Sequence, residues 1–393
     1  MLKLLLLLSL LSYTERQMVV RVYVHSWQDL KRIELRGLDI ASGRLDQYYD
    51  LVVSPDEYGA VLASGLRSEV LTEDLGRERL RYLGQYHSYD QVTQILRDYA
   101  NNYPNISRLD SLGTTWEGRW IYCLKVSDEP WTEDPAEPDV SFDGCHHARE
   151  WATVEIPLFY ADTLLSAYGS VPLIQDLVDN HEIWLIPIVN VDGYFYDYSG
   201  PYWWRKDRQP FGGSIGTDPN RNYNGCCNAD PYGDWGAIPS GASVTHDPSS
   251  EVFCGAYGEW AREIAAYAAF FRMHEVSANI SYHSSGEEVL WPWGYTLNPT
   301  PDGAVYTQYA QEIASRIHRL GGGYYDPAQW LYPTQGSTDD YFYGWPHYVG
   351  GYPCLSFTIE VGTAFYQPEA DLDYICRETV SYTHLTLPTK RIV

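Results

Sequence analysis

The segment Asp139-Val-Ser-Phe-Asp-Gly-Cys-His-His-Ala-Arg-Glu-Trp151 decides the reading of the chain. Val140 and Phe142 alternate with polar neighbours as in a strand, and Gly144 breaks it. From Trp151 the period becomes helical, with Val154, Leu158, Ala161 and Leu165 on one face. His147 and Glu150 therefore sit on a strand-to-helix turn. Three residues apart in a tight turn, an imidazole and a carboxylate can reach one cation, and zinc accepts that nitrogen and oxygen mixture. A catalytic zinc also needs a third protein ligand. Taken alone, a His-x-x-Glu pair is a weak signal, and a solvated loop is its commoner explanation.

Other strand ends supply candidates for the rest. His283 closes the apparent strand in Ala278-Asn-Ile-Ser-Tyr-His283 and would complete a set of two histidines and one glutamate. Glu360 is the single charge in the apolar run Leu355-Ser-Phe-Thr-Ile-Glu-Val361. A buried carboxylate without a partner is costly, so Glu360 should face a cleft or a cation, where it can serve as a base. Arg205 lies in the aromatic Tyr202-Trp-Trp-Arg-Lys206, and Asn220 and Arg221 lie in the loop Gly216-Thr-Asp-Pro-Asn-Arg-Asn-Tyr223. A planar guanidinium grips a carboxylate through two parallel hydrogen bonds.

The 393 residues fit one large domain, or one large and one small, and 45% hydrophobic content with 35 Tyr and 14 Trp leaves no room for extensive disorder. A net charge of -25 argues against nucleic-acid binding, which needs a basic surface. Residues 1–18 read as a signal peptide: one Lys and then an apolar run too short to span a bilayer. Seven cysteines are compatible with export and one or two disulfides. Residues 19–85 read as a small α/β unit followed by a charged linker. In that unit, strands are expected near 19–24 and 49–53, and helices near 29–35 and 56–66. From Tyr86, helical patterns (89–103, 151–168, 172–180, 250–274, 302–320) alternate with strand patterns (120–126, 138–143, 182–189, 278–283, 354–361). Continuously apolar strands such as Ile183-Trp-Leu-Ile-Pro-Ile-Val189 predict a three-layer α/β/α domain around a mixed, mostly parallel twisted sheet. Sites in such sheets gather at the carboxyl ends of strands.

At this point the chain resembles the zinc metallocarboxypeptidases of the carboxypeptidase A/B type, including secreted bacterial members such as carboxypeptidase T. The matching pieces run in family order: His-Ala-Arg-Glu-Trp (147–151), Val-Asn-Val-Asp-Gly-Tyr (189–194), Trp-Arg-Lys (204–206) and Asp-Pro-Asn-Arg-Asn (218–222). Ser-Tyr-His-Ser (281–284), the stretch from Tyr332 to Tyr343, and Phe-Thr-Ile-Glu (357–360) follow. The resemblance implies zinc held by His147, Glu150 and His283, with Glu360 as general base and Arg205 polarising the scissile carbonyl. It implies that Asn220, Arg221 and Tyr332 bind the substrate's C-terminal carboxylate. It also places Asp339 at the base of the side-chain pocket, where an aspartate goes with C-terminal Lys or Arg; the plainer reading is that Asp339 or Asp340 caps a turn.

The same resemblance makes residues 19–85 the counterpart of a propeptide. The expectation is a latent, secreted or periplasmic monomer activated by a protease that cuts in the Arg-rich 67–84 stretch, leaving 86–379 as the catalytic domain. Its substrates would be peptide or protein C-termini. Residues 380–393 match no family element and read as a non-native tail, so the family's closing C-terminal helix is expected to be missing. Two rival functions share the scaffold. One is a zinc amidohydrolase acting on peptidoglycan stem peptides or N-acyl amino acids. The other is a non-catalytic binding module. Structural calcium at Asp230, Asp234 or Asp247 has only a run of loop aspartates behind it, for which solvation is the ordinary role.

Overall fold

The computed structural model describes residues 16–383, except 34–36, 45–46, 201–202, 226–232, 234, 239–241 and 330. Alternating apolar residues near the N-terminus build an antiparallel sheet from β1 (Met18–Tyr23), β2 (Asp39–Arg44), β3 (Tyr48–Val53) and β4 (Ser68–Thr72), in the order β2-β3-β1-β4. Its inner face packs Val20, Val22, Tyr49 and Leu51 against Val61 of the helix Pro55–Ala63. That helix starts where Ser54 caps it: the Glu57 N–H donates to the Ser54 hydroxyl, and the Glu57 carboxylate accepts from the Ser54 N–H at 2.8 Å. The helix expected over 29–35 is instead a 3₁₀ turn, Trp27–Arg32. β2 and β4 escape sequence reading because β2 mixes Ser, Gly and Arg into its apolar pattern and β4 is half exposed.

The charged stretch 73–81, expected to be a linker with nothing to bury, is folded. Leu75 enters the core and Arg79 is fully buried, its guanidinium 5.3 Å from the Trp151 ring centroid and bonded to the Gly200 carbonyl. Arg67, Arg77 and Arg81 stay exposed.

The larger unit is built on an eight-stranded sheet. Its strands are β5 (Ser107–Thr114), β6 (Trp120–Val126), β7 (Asp139–Asp143), β8 (Glu182–Ile186), β11 (Ala278–His283), β12 (Glu288–Leu290), β13 (Asp326–Ala328) and β14 (Leu355–Glu360); β9 (Pro210–Phe211) and β10 (Ser214–Ile215) form a separate hairpin. The order is β13-β12-β14-β11-β7-β8-β6-β5, and the central strands β14, β11, β7 and β8 run parallel. Both faces are covered. Phe142 and Leu185 are register partners, and Phe142 stacks edge-on against Tyr160 of the helix Ala152–Ala167. Trp184, one residue away and so on the opposite face, packs on Phe270 of the helix Arg262–His274. This is the mixed three-layer arrangement that the sequence predicts.

Several boundaries differ from expectation. The strand expected over 182–189 stops at Ile186, because the Val189 and Asn190 N–H groups turn to the Gly144 and Cys145 carbonyls. The helix expected from residue 250 begins only at Arg262. Asn222 captures the carbonyls of Cys254 and Tyr257 and the Ala261 N–H, which holds 254–261 in turns. A C-terminal helix, Glu369–Thr383, follows β14. Leu372, Ile375, Cys376 and Val380 are buried at helical spacing, and the helix packs against Ala152–Ala167. Residues 384–393 and most of the signal-peptide segment lie outside the described residues, as do Asp230, Asp234, Cys226 and Cys227. Cys123, Cys145, Cys254, Cys354 and Cys376 are buried free thiols.

The turn after β7 depends on the absence of one side chain. A Cβ on Gly144 would stand 2.2 Å from the Thr153 carbonyl oxygen and 3.1 Å from that of Pro187. Gly144→Ala is therefore expected to destabilise the fold by roughly 3 kcal/mol, read as a lower denaturant midpoint. An unchanged midpoint would mean that the turn has room to relax.

Candidate metal centre and substrate cleft

The parallel strands end together, and their carboxyl ends carry the polar residues that the sequence singles out. β7 leads through Gly144 and Cys145, the latter with φ 55°, into His147 and Glu150. The turn is tied down by the Cys145 N–H donating to the Thr153 hydroxyl at 2.8 Å, and by Asn190. Asn190 donates to the carbonyls of His146 and Lys206, both at 3.0 Å, so the strand-end motif at 189–194 joins the His147 turn to the Arg205 segment. His283 ends β11 and Glu360 ends β14, and the two are register partners.

Glu150 lies between two imidazoles, its oxygens 2.6 Å from His147 Nδ1 and 3.1 Å from His283 Nδ1. One donor atom from each of the three residues lies within 4.8 Å of the others, and all three side chains are buried. Two imidazole nitrogens and a carboxylate at this separation form a donor set that suits zinc with a coordination position left open. Burial alone would raise the Glu150 carboxyl, but His147 and His283 hold it below the usual carboxylate range. The other nitrogen of His147, Nε2, meets Asp218 Oδ1 at 3.1 Å, the carboxylate support that orients metal-binding histidines.

Asp218 binds more than His147. Its Oδ2 accepts from Arg205 Nε and Nη2 at 3.0 and 2.8 Å, and its Oδ1 accepts from the Asn220 N–H at 3.0 Å. Asn220 Oδ1 takes the N–H and hydroxyl of Thr338, both at 2.8 Å. Arg221 is fixed through Nε to the Ser243 carbonyl and through Nη1 to the Asn220 carbonyl. A cavity of about 60 Å³ is lined by His147, Asn220, Arg221, His283, Tyr332, Asp339 and Glu360, together with Leu290, Gly294 and Thr358. The sequence-predicted site residues thus converge, apart from Arg205, which reaches the group through Asp218. Burial pushes the Glu360 carboxyl up to about 7, against the pull of His283. Asp340, not Asp339, accepts the Gly294 N–H, at 2.8 Å.

Sequence reasoning gave no role to Asp39 or Arg149. The Arg149 guanidinium makes two bonds to the Asp39 carboxylate, at 2.7 and 2.6 Å, and Arg205 Nη1 stands 3.7 Å from the same group. β2 therefore lies over the cleft. The Leu38 carbonyl accepts from the Ser243 hydroxyl, the Ile40 carbonyl from the Tyr332 hydroxyl at 3.5 Å, and Tyr49 donates to the Leu331 carbonyl at 2.7 Å. Nothing in the isolated segment 37–44 signals this, because the partners are more than 100 residues away. Glu288 is a further residue with no signal in the sequence. It is the register partner of Glu360, only 2% exposed, and its Oε2 has no hydrogen-bond partner among the described residues.

The sequence model of the zinc carboxypeptidase family matches residues 92–381. A zinc carboxypeptidase of Saccharothrix mutabilis subsp. capreolus is 30% identical, over 86% of this chain and 82% of its own length. Carboxypeptidase B of Homo sapiens is 29% identical, over 81% of this chain and 74% of its own. In fold, the carboxypeptidase A of Helicoverpa armigera superposes with a TM-score of 0.77 at 21% identity, covering 94% of this chain and 95% of that one. With the histidines and glutamate of the strand ends facing one another, and most of the chain matched, the protein belongs to the zinc carboxypeptidase family and is a zinc metallocarboxypeptidase.

Proposed function

We propose that the chain removes C-terminal residues with His147, Glu150 and His283 as the zinc ligands and Glu360 as the general base. The observation that carries this reading is the meeting of those three donors, two of which, His147 and His283, line a cavity together with Glu360, Arg221 and Asn220. Bound zinc would supply Lewis-acid polarisation and a water ionisable near neutral pH. Glu360 takes the proton from the attacking water and returns it to the leaving amine, a task suited to a carboxyl raised toward 7 by burial. Arg205 meets the charge that develops on the carbonyl oxygen, and its bond to Asp218 holds the guanidinium ready for it. Arg221, Asn220 and Tyr332 hold the free carboxylate, which restricts cutting to the last peptide bond. The presence of every ligand and of the base favours this reading over a binding module, and the carboxylate clamp favours it over an amidohydrolase.

Glu360→Gln should lower kcat by about 10²–10⁴-fold while the protein keeps its zinc, and a chelator should abolish activity of the unsubstituted protein. Retained activity in the glutamine variant would remove Glu360 from the role of base.

Asp339 supports a preference for C-terminal Lys or Arg, since its buried carboxyl lines the cavity. Losing a charge pair of roughly 3 kcal/mol corresponds to about 100-fold. Asp339→Ile should therefore shift the Arg-to-Phe ratio of kcat/KM by about that factor, and an unchanged ratio would discard the pocket assignment.

The N-terminal unit acts as a propeptide of a secreted or periplasmic monomer in this reading, with β2 closing the cleft. Breaking a buried pair by removing one partner costs about 3–5 kcal/mol, so Asp39→Asn should raise the activity of the full chain. Cleavage at exposed Arg77 or Arg81 should release far more. Burial opposes ionisation of Asp39, but Arg149 and Arg205 hold its carboxyl below the ordinary range. The Asp39 clasp is therefore present above that range, persists as pH falls through about 4, and is lost only below it. A full chain as active as one cut near Tyr86 would rule out latency. None of the helices among the described residues is long and apolar enough to cross a membrane.

A further inference from the structure

β7 carries the candidate catalytic metal ligands beyond its carboxyl end, and a second constellation gathers at its other end. Asp139 opens the strand, His274 closes the helix Arg262–His274, and Glu133 lies on the connection between β6 and β7. His274 Nδ1 stands 3.6 Å from Glu133 Oε2 and 3.9 Å from Asp139 Oδ1, and one donor atom from each residue lies within 4.8 Å of the others. Both Nδ1 separations are too long for hydrogen bonds. They approach the spacing of donors around one tetrahedral ion, about 3.3–3.6 Å for bonds of 2.0–2.2 Å.

The neighbours fix this geometry from several sides. Trp184 Nε1 donates to Asp139 Oδ1 at 2.6 Å, and its ring packs 4.5 Å from that of His274. Phe270 packs on the imidazole at the same distance. Lys125 is fully buried and occupies the far side, 2.9 Å from Glu182 Oε2 and 3.2 Å from Glu133 Oε1. Lys125 and Arg108, the latter 3.7 Å from Glu133 Oε1, lie on the Oε1 side of Glu133, whereas Glu133 Oε2 and Asp139 Oδ1 face His274. Glu133 is half exposed, which gives an ion a way in.

We propose that Glu133, Asp139 and His274 bind a second divalent transition-metal ion of the zinc class. One imidazole and two carboxylates from three separate elements suit such an ion better than calcium, which takes oxygen ligands only. The ion would pin the acidic β6–β7 connection to the end of the helix, at the base of the strand that positions His147. It takes no part in peptide cleavage.

The test counts zinc on the full-length chain after equilibration at low micromolar free zinc and gel filtration. The unsubstituted protein should retain two equivalents. Glu133→Gln, which leaves the buried Lys125 its partner Glu182, should retain one, and so should His274→Ala. His147→Ala should also retain one, and the His147→Ala/Glu133→Gln double variant none. Zinc should also slow amide exchange in 127–138 in the unsubstituted protein and not in Glu133→Gln. One equivalent on the unsubstituted chain, or two that survive both Glu133→Gln and His274→Ala, overturns the proposal. Loss of zinc in Glu133→Gln with none lost in His147→Ala would uphold it and reject the catalytic ligand assignment instead.

Discussion

Asp218 is the group on which the cleft depends. It is fully buried, and an isolated carboxylate there would be untenable. Burial works against its charge, yet Arg205, Arg221 and His147 together hold it well below the usual carboxylate range. One oxygen orients His147 and caps the turn carrying Asn220, while the other receives the Arg205 guanidinium. A candidate metal ligand, a candidate oxyanion partner and a candidate carboxylate clamp are thereby referred to a single anion. A buried network of this kind is rigid only when every member is satisfied, and here Asn190 and Thr338 complete it from the starts of two neighbouring helices.

The sheet makes that network affordable. Four parallel strands end at one level, so polar side chains from distant parts of the chain meet where backbone pairing stops. The strands themselves are buried on both faces by aromatic packing, with Tyr160 over Phe142 on one side and Phe270 over Trp184 on the other. The small N-terminal sheet adds a charge to the same buried set. Asp39 gives Arg149 a buried partner and approaches Arg205, so the unit that covers the cleft also neutralises part of it.

What could be read in advance followed from local rules. The His147 turn was legible because a strand period gives way to a helix period across a glycine. Glu360 was legible because a lone charge in an apolar strand must face a partner. The failures share a cause. The helix expected from residue 250 is delayed because Asn222, some thirty residues earlier, captures the backbone groups that would start it. The 73–81 segment looks like a linker until Arg79 meets Trp151 and Gly200. The helix Glu369–Thr383 runs past the boundary expected at 379, because Leu372, Ile375, Cys376 and Val380 keep one buried helical stripe.

The sequence by itself determined the chemistry available to this protein: two histidines and two glutamates at strand ends, arginines in long loops, and apolar runs that require a covered sheet. Residue type and short-range period carry that information because solvation and backbone geometry act locally. The tertiary structure alone decided which charges face one another. Asp218 beneath His147 and Arg205, Asp39 against Arg149, and Glu133 beside Asp139 and His274 all arise from packing. Their partners lie between a few and more than a hundred residues apart, and only the closed sheet brings them within reach of one another's fields.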